Sequence, residues 1–583
     1  MTQTTSRLSR FVRLAAFSLF PLLAACAGGG QVKSAANAER TVTVGILAIN
    51  DFHGALEPPR LSLTIADGKG GTVALPAGGA AYLASAIDAT RAKYAQSLTV
   101  SAGDLISASQ LASSIYLDEP AIGVANRIGL DFNAVGNHEF DRGREELLRM
   151  QNGGCAQNTP RQPCAVEPFK GAQFRFLAAS TVTETGQTLF PPYLIRTFGS
   201  GARQVQVGVI GLTLKETPSL VSPGGIKGLR FEDEADSINA LVPVLKRQGV
   251  DAVVVLIHQG GQQGEGGLPD SCKDLTGEIR PILDRLDPQV DLVVSGHTHR
   301  SYVCDYGQLN PAKPFLLTSA EKSGMMLTDI TLEIDPKAGR VVSKRARQVP
   351  VQSAPYTGGR GLIANTDAAP VYAPRGDVAA YVKTYTDAAR AFSSRSAGLL
   401  AAPAGGQSLA MLIADAQLAA TRAAGAQLAF MNPFGVRAPL TPGAGGALTF
   451  GDIYAAQPFN NSLVTQSLTG AELKALLEQG FDATGPEQAL IPSGGFSYTY
   501  DKARPIGQRI VAMELNGAAI DPAGTYRVTT NSFLAQGGDA FTVLSAQRAA
   551  QIGVSDLEAL EAWLKGAGPR PVPTEQRVRE AGR

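Results

Sequence analysis

The chain has 583 residues, 44% hydrophobic and 18% charged, which excludes a disordered polymer and leaves room for two or three globular domains. A formal net charge of +1 argues against the basic surface that a nucleic acid polymer requires. A small phosphate-bearing molecule needs only one local cluster and stays open.

In chain order, Arg7, Arg10 and Arg13 form a basic leader around an apolar run, Phe11–Ala25, too short to span a bilayer. Leu23-Ala24-Ala25-Cys26 has the form of a bacterial lipobox. Residues 1–26 therefore read as a lipoprotein signal with Cys26 as the lipidated residue, ordinary cleavage after Ala27 being the alternative. A lipid is the only membrane contact expected, on the outer membrane facing the periplasm or at the cell surface. Residues 27–40 suit a flexible tether. The four remaining cysteines fit an oxidising compartment and allow three pairings; the expected bridges are Cys155–Cys164 and Cys272–Cys304, each closing a loop.

From Thr41 onward, short β-branched runs alternate with amphipathic stretches. The expected strands are Val42–Ile49, Leu98–Ser101, Phe132–Val135, Phe174–Ala178, Val205–Ile210, Val253–Ile257, Leu292–Ser295 and Phe315–Thr318. Such continuous apolar runs suit strands buried on both faces. Gly79–Tyr94 reads as a helix, and this half as α/β. The sequence divides into a catalytic unit over 41–355, a linker with a connector helix over 356–395, a second α/β unit over 396–568 and a tail over 569–583. Rotation about the connector helix, Asp377–Phe392, is expected to open and close a cleft between the two units.

All five histidines, His53, His138, His258, His297 and His299, follow directly on an expected strand. The most conspicuous acids of this half do the same: Asn50-Asp51-Phe52-His53-Gly54, Gly103-Asp104 and Gly136-Asn137-His138-Glu139-Phe140-Asp141. Ligands gather at the carboxyl ends of strands in α/β sheets. We therefore expect five strands to deliver these groups to one edge of one sheet. Imidazole and carboxylate without thiolate suit zinc, manganese, cobalt or iron. A pair of such ions lowers the pKa of bound water and grips a phosphoryl oxygen. Asp104 is placed to bridge them.

These motifs, with Gly296-His297-Thr298-His299, resemble the calcineurin-like metallophosphoesterases. Their order is similar to the bacterial 5′-nucleotidase / UDP-sugar hydrolase family, over nearly all of Thr41–Lys565. The resemblance implies an N-terminal four-layer αββα metallophosphatase domain, a linker helix and a C-terminal α/β substrate-binding domain. It implies two divalent metal ions: one held by Asp51, His53 and His299, the other by Asn137, His258 and His297, with Asp104 between. His138 would stabilise phosphoryl charge or protonate the leaving oxygen, oriented by Asp141; Glu139 reads as framework.

The resemblance further implies that Phe459 and Phe533 clamp a nucleobase, that Asn432 and Asp539 contact the nucleoside, and that Arg437 meets phosphate. Two segments depart from the family. No Arg precedes Leu412-Ile413-Ala414-Asp415-Ala416 within Ala401–Met411, and Asn432-Pro433-Phe434-Gly435-Val436-Arg437 replaces the usual Asn-Gly-Gly-Gly-Ile-Arg. Both fall where substrate phosphate is gripped. The expected protein is a monomeric, exported 5′-nucleotidase acting on a small nucleotide. Cyclic-nucleotide phosphodiesterase, UDP-sugar hydrolase and thiosulfate-ester hydrolase stay open, as does a nucleotide-binding surface lipoprotein without turnover.

Overall fold

The computed structural model describes residues 41–582 except 160, 222, 264–271, 273–274, 359–360, 460, 483–486 and 546–549. The export signal, Cys26 and the tether lie outside the described residues. No helix among the described residues is long and apolar enough to cross a membrane.

The strands that matter for the site are β1 (Val42–Ile49), β2 (Ser97–Ser101), β3 (Phe132–Ala134), β4 (Arg175–Leu177), β5 (Tyr193–Phe198) and β6 (Val205–Thr213). They continue with β7 (Ala252–His258), β8 (Leu292–Ser295), β9 (Ser301–Asp305), β10 (Leu316–Ala320), β11 (Met326–Asp335) and β12 (Arg340–Pro350). They form two sheets of six strands each, as the αββα resemblance implies and in place of the single sheet of the strand-end argument, ordered β12-β11-β1-β2-β3-β4 and β9-β10-β8-β7-β6-β5. The reason is visible in β1. Val44, Ile46 and Ala48 point into a core shared with Val207, Val209, Val254 and Val294 of the other sheet. Leu47 and Ile49, one residue out of phase, join the core under the helices. A strand apolar on both faces demands a layer on each side, and here one of the layers is a second sheet.

Within each sheet the strands that carry the site run parallel: β1 beside β2, β2 beside β3, and β7 between β6 and β8. Their carboxyl ends therefore open on the same side.

The connecting helix spans Gly376–Ser393, and its stripe Val378, Tyr381, Val382, Tyr385 and Ala389 is buried. That stripe belongs to the same core as Leu47 and Ile49. The helix also meets the C-terminal part, where Phe392 packs edge-on against Phe450 with ring centroids 5.0 Å apart. Its fit is tight. A Cβ on Gly123, in the helix Glu119–Ile128, would collide with the Tyr381 hydroxyl. Gly123→Ala is therefore expected to destabilise the protein by about 1–3 kcal/mol, read as a lower denaturation midpoint by calorimetry. An unchanged midpoint would contradict this packing.

A five-stranded sheet dominates the C-terminal part, built around Leu428–Met431, Ser462–Thr469 and Thr525–Asn531. The helix Gly406–Thr421 packs on it through Leu409, Leu412, Ile413 and Ala416. Leu111 of the N-terminal part is buried in this core, and Ile115 packs against both cores.

Disulfides join Cys155 to Cys164 and Cys272 to Cys304.

Candidate metal centre

The ends of β1, β2, β3, β7 and β8 converge. Asp51, His53 and His299 form one group of mutually close donors, and Asp104, His258 and His297 form a second. Asp104 Oδ2 lies 3.0 Å from His258 Nε2 and 3.7 Å from His53 Nε2, so one carboxylate touches both groups. Asn137 Oδ1 lies 3.1 Å from His258 Nε2. The Nε2 atoms of His53 and His299 are 3.2 Å apart, and Asp51 Oδ1 is 3.4 Å from His299.

Two of these rings are oriented from behind. His53 donates its Nδ1–H to the Ser107 carbonyl at 2.9 Å, and His258 donates its Nδ1–H to the Ala102 carbonyl at 2.8 Å. A carbonyl only accepts, so each Nδ1 carries its proton and Nε2 is the nitrogen turned to the centre. Burial holds His53, His297 and His299 below the ordinary imidazole pKa, His297 at about 3, while His258 goes the other way. Burial opposes protonation of His258, yet Asp104 and Asp51 outweigh it and push its pKa up to about 10. Bare imidazole nitrogens, two buried carboxylates and an amide oxygen around one space are a donor set for divalent cations.

The backbone is strained to make this set. Asp51, His53, Asp104, His297 and His299 all adopt left-handed φ, between 49° and 69°. That conformation is uncommon for histidine and persists only where surrounding structure imposes it. The imposing bonds are present. Asn50 donates to Asp51 Oδ2 at 2.6 Å, its own Oδ1 accepts the Ala320 N–H, and the His297 N–H donates to both Asp51 oxygens at 3.0 and 3.1 Å.

Glu139 does more than the framework role expected of it. Its carboxylate accepts the N–H groups of Asp104, Leu105 and Gly136 at 2.8–3.0 Å, and Asn133 Nδ2 at 3.3 Å. It thereby ties the β2 loop to the β3 loop, fixing Asp104 relative to Asn137. Burial beside Asp104 pushes its pKa up to about 8. The sequence signal was an acid three residues after Gly136, able to hook back onto that N–H. Glu139→Ala is expected to weaken metal binding by about 10–100-fold, measured by competition with a chelator. Wild-type affinity in that variant would contradict the clamp.

His138 sits at the rim. Its N–H donates to Asp104 Oδ1 at 3.0 Å, and its Nδ1 pairs with Asp141 Oδ2 at 2.8 Å. Burial opposes its charge, but Asp141 and Asp104 raise its pKa.

The C-terminal residues reach the same cleft, a cavity of about 1750 Å³ lined by His138, His297, Arg437, Phe459, Phe533 and Asp539. Phe459 stacks on His138 with ring centroids 6.0 Å apart and 17° between planes, and the Arg437 guanidinium lies 5.8 Å from the Phe459 ring. Asn432 Nδ2 donates to Asp539 Oδ2 at 2.8 Å, and Asn531 Nδ2 donates to Asn432 Oδ1 at 3.1 Å, so these amides form one wall. Phe533 lies against Gly538, where a Cβ would come within 2.5 Å of its ring. Phe434, 49% exposed, adds an aromatic ring to the lining, from the loop that departs from the family's Asn-Gly-Gly-Gly-Ile-Arg.

The comparisons with known proteins follow this geometry. The family model described as Calcineurin-like phosphoesterase matches residues 44–301, and that described as 5'-nucleotidase, C-terminal domain matches residues 383–546. Endonuclease YhcR of Bacillus subtilis is 30% identical over 515 residues; the match takes in 87% of this chain but 38% of that protein. A probable 5'-nucleotidase of Treponema pallidum is 25% identical over 592 residues, 89% of this chain and 91% of that one. The crystal structure of a 5'-nucleotidase precursor from Thermus thermophilus superimposes with a TM-score of 0.73 at 26% identity, covering 93% of this chain and 100% of that chain.

Proposed function

The chain belongs to the calcineurin-like phosphoesterases that carry a 5′-nucleotidase C-terminal domain, a family of metal-dependent phosphoester hydrolases, and from that premise we propose that it is an exported dimetal hydrolase releasing phosphate from nucleotides. The observation that carries this reading is Phe459 stacked on His138, ring centroids 6.0 Å apart, which brings the wall suited to a nucleoside up to the candidate metal groups.

Asp51, His53 and His299 would hold one cation, Asn137, His258 and His297 the other, and Asp104 both. Bound there, the pair supplies an activated water and neutralises phosphoryl charge. The rest falls to the chain's own groups. Arg437 offers a planar fork to the phosphoryl oxygens. Asp141 holds the His138 Nδ1–H, leaving Nε2 to deliver a proton to the departing oxygen. Phe459 and Phe533 cover the base, and Asn432 and Asp539 meet the sugar or base edge.

The cleft also favours a second, larger substrate class. At about 1750 Å³ it exceeds the ~300–1,000 Å³ of ordinary small-molecule sites. A nucleotide bearing a second group, such as a nucleotide sugar, would fill it better than a monophosphate.

The deciding assay is phosphate release by leader-free protein with manganese, zinc or cobalt. The panel is AMP, ATP, UDP-glucose, a 2′,3′-cyclic nucleotide and an aryl phosphate, with a coupled phosphatase where needed. Release from a nucleotide class supports the proposal; turnover of the aryl ester alone refutes the nucleotide part.

Export rests on the leader and on the two disulfides, which belong to oxidising compartments. Lipidation predicts incorporation of labelled fatty acid that is lost in Cys26→Ser. Unlabelled wild-type protein would leave ordinary signal cleavage.

A further inference from the structure

A line of buried polar groups beside the cleft has no part in the chemistry above. Tyr454 lies in the helix Phe450–Ala456, and its hydroxyl meets the Pro458 carbonyl at 2.8 Å and the Ser114 hydroxyl. A phenol has one proton, and a carbonyl can only accept. The Tyr454 proton therefore goes to Pro458, and Ser114 donates its own to the phenol oxygen. The Ser114 oxygen in turn accepts from Arg142 Nη2 at 3.1 Å and Arg161 Nη1 at 3.4 Å.

Arg142 carries the line onward, donating to Asp118 at 2.5 Å and to Ser107 Oγ at 3.2 Å. Asp118 also accepts the Ser107 N–H at 3.0 Å and the Ser113 hydroxyl at 2.6 Å. The Ser107 carbonyl is the group that orients His53. One continuous chain of contacts thus runs from a candidate metal ligand to the carbonyl that immediately precedes Phe459. Phe459 stacks back on His138, and the circuit closes around the centre.

Most of the relay is buried, with Asp118 0%, Tyr454 1% and Ser114 4% exposed, while Arg142 borders the cleft. A buried polar chain that loses one link leaves its neighbours unsatisfied, which costs more than the link itself. It is complete only when Phe450–Ala456 sits on Leu111–Ser114, one of the contacts between the N-terminal and C-terminal parts.

We propose that Tyr454 is a positioning residue for nucleotide recognition: through Pro458 it holds Phe459 over His138, with Ser114 anchoring the phenol. The inference rests on the nucleotide reading of the cleft. Tyr454 touches neither substrate nor metal, so its effect falls on substrates that use Phe459.

The test compares Tyr454→Phe and Ser114→Ala with the metal-loaded wild type, on the best nucleotide and on an aryl phosphate. KM for the nucleotide is expected to rise roughly five-fold or more, the worth of about one hydrogen bond. The kcat for the aryl ester, which has no base to stack, should stay within about two-fold of wild type, because removing one hydrogen bond from the nucleoside wall leaves the metal ligands in place. Ser114→Thr, which restores the hydroxyl, should recover the nucleotide KM. Hydrogen exchange should quicken in the loop after Tyr454 and stay unchanged in β1 and β2. An unaltered nucleotide KM with unaltered loop exchange overturns the proposal. So does equal loss on both substrates with a lowered denaturation midpoint, which marks a structural role only. Should the wild type hydrolyse no nucleotide, that reading fails by itself, and loop exchange alone decides whether Tyr454 holds Phe459.

Discussion

Replacing His138 with alanine is expected to lower kcat by about 10²–10⁴-fold while leaving metal content at the wild-type level. The two halves of that expectation come from different atoms. The imidazole faces the cleft under Phe459, with Nδ1 held by Asp141 at 2.8 Å. A ring fixed at Nδ1 by a carboxylate is a proton donor at Nε2. The backbone N–H of residue 138, by contrast, donates to Asp104 Oδ1 at 3.0 Å, and alanine keeps it. The metal ligands should therefore hold their positions. Steady-state kinetics paired with elemental analysis separate the outcomes. Activity within about three-fold of wild type would remove His138 from the chemistry, since general acid catalysis is worth far more. Loss of metal together with activity would make it a structural residue. Asp141→Asn should give a smaller fall in kcat, because the ring remains but its orientation and charge are less well supported.

Asp104→Asn should be still more damaging. Bound metal should fall from two ions to one or fewer, and turnover by at least about a thousand-fold, since the bridging charge is worth several kcal/mol. Asp104 Oδ2 lies against His258 of one donor group and His53 of the other, so the charge lost belongs to both sites. The substituted amide keeps an oxygen able to accept the His138 N–H, but it carries no charge, and its NH2 group would donate to the imidazole nitrogens that a cation needs. The substitution is otherwise conservative. Asp104 has φ of 51°, and asparagine accepts the left-handed region as readily as aspartate. A defect cannot then be blamed on backbone strain. Elemental analysis after gel filtration, with far-ultraviolet circular dichroism as the check on folding, reads the result. Two bound ions and wild-type turnover would show that Asp104 does not bridge.

Much of the centre was legible in the sequence, because its chemistry is local. Each ligand candidate lies within a few residues of a strand end, and apolar runs such as Val42–Ile49 and Leu292–Ser295 announce those ends directly. Five histidines, all placed so, left little freedom about where the chemistry sits. The helix stripe Val378, Tyr381, Val382, Tyr385 and Ala389 was equally plain, since a period of 3.6 needs no tertiary information.

Partnership was not legible. The continuous apolar run of β1 says that both faces are buried, but not that one face meets a second sheet; that follows from which apolar surface is left to cover which. The same limit applies to the connector helix: its stripe shows that it packs, and only the fold shows that Leu47 and Ile49 are on the receiving side. Glu139 looked like framework because its value comes from backbone N–H groups at positions 104 and 105, more than 30 residues away. Tyr454 carried no signal at all, since its partner Ser114 is 340 residues distant. The sequence by itself determined which groups stand at the strand ends and what cations they suit. The tertiary structure alone decided which loops face each other, because hydrogen bonds and packing between distant segments depend on three-dimensional adjacency, which no local pattern records.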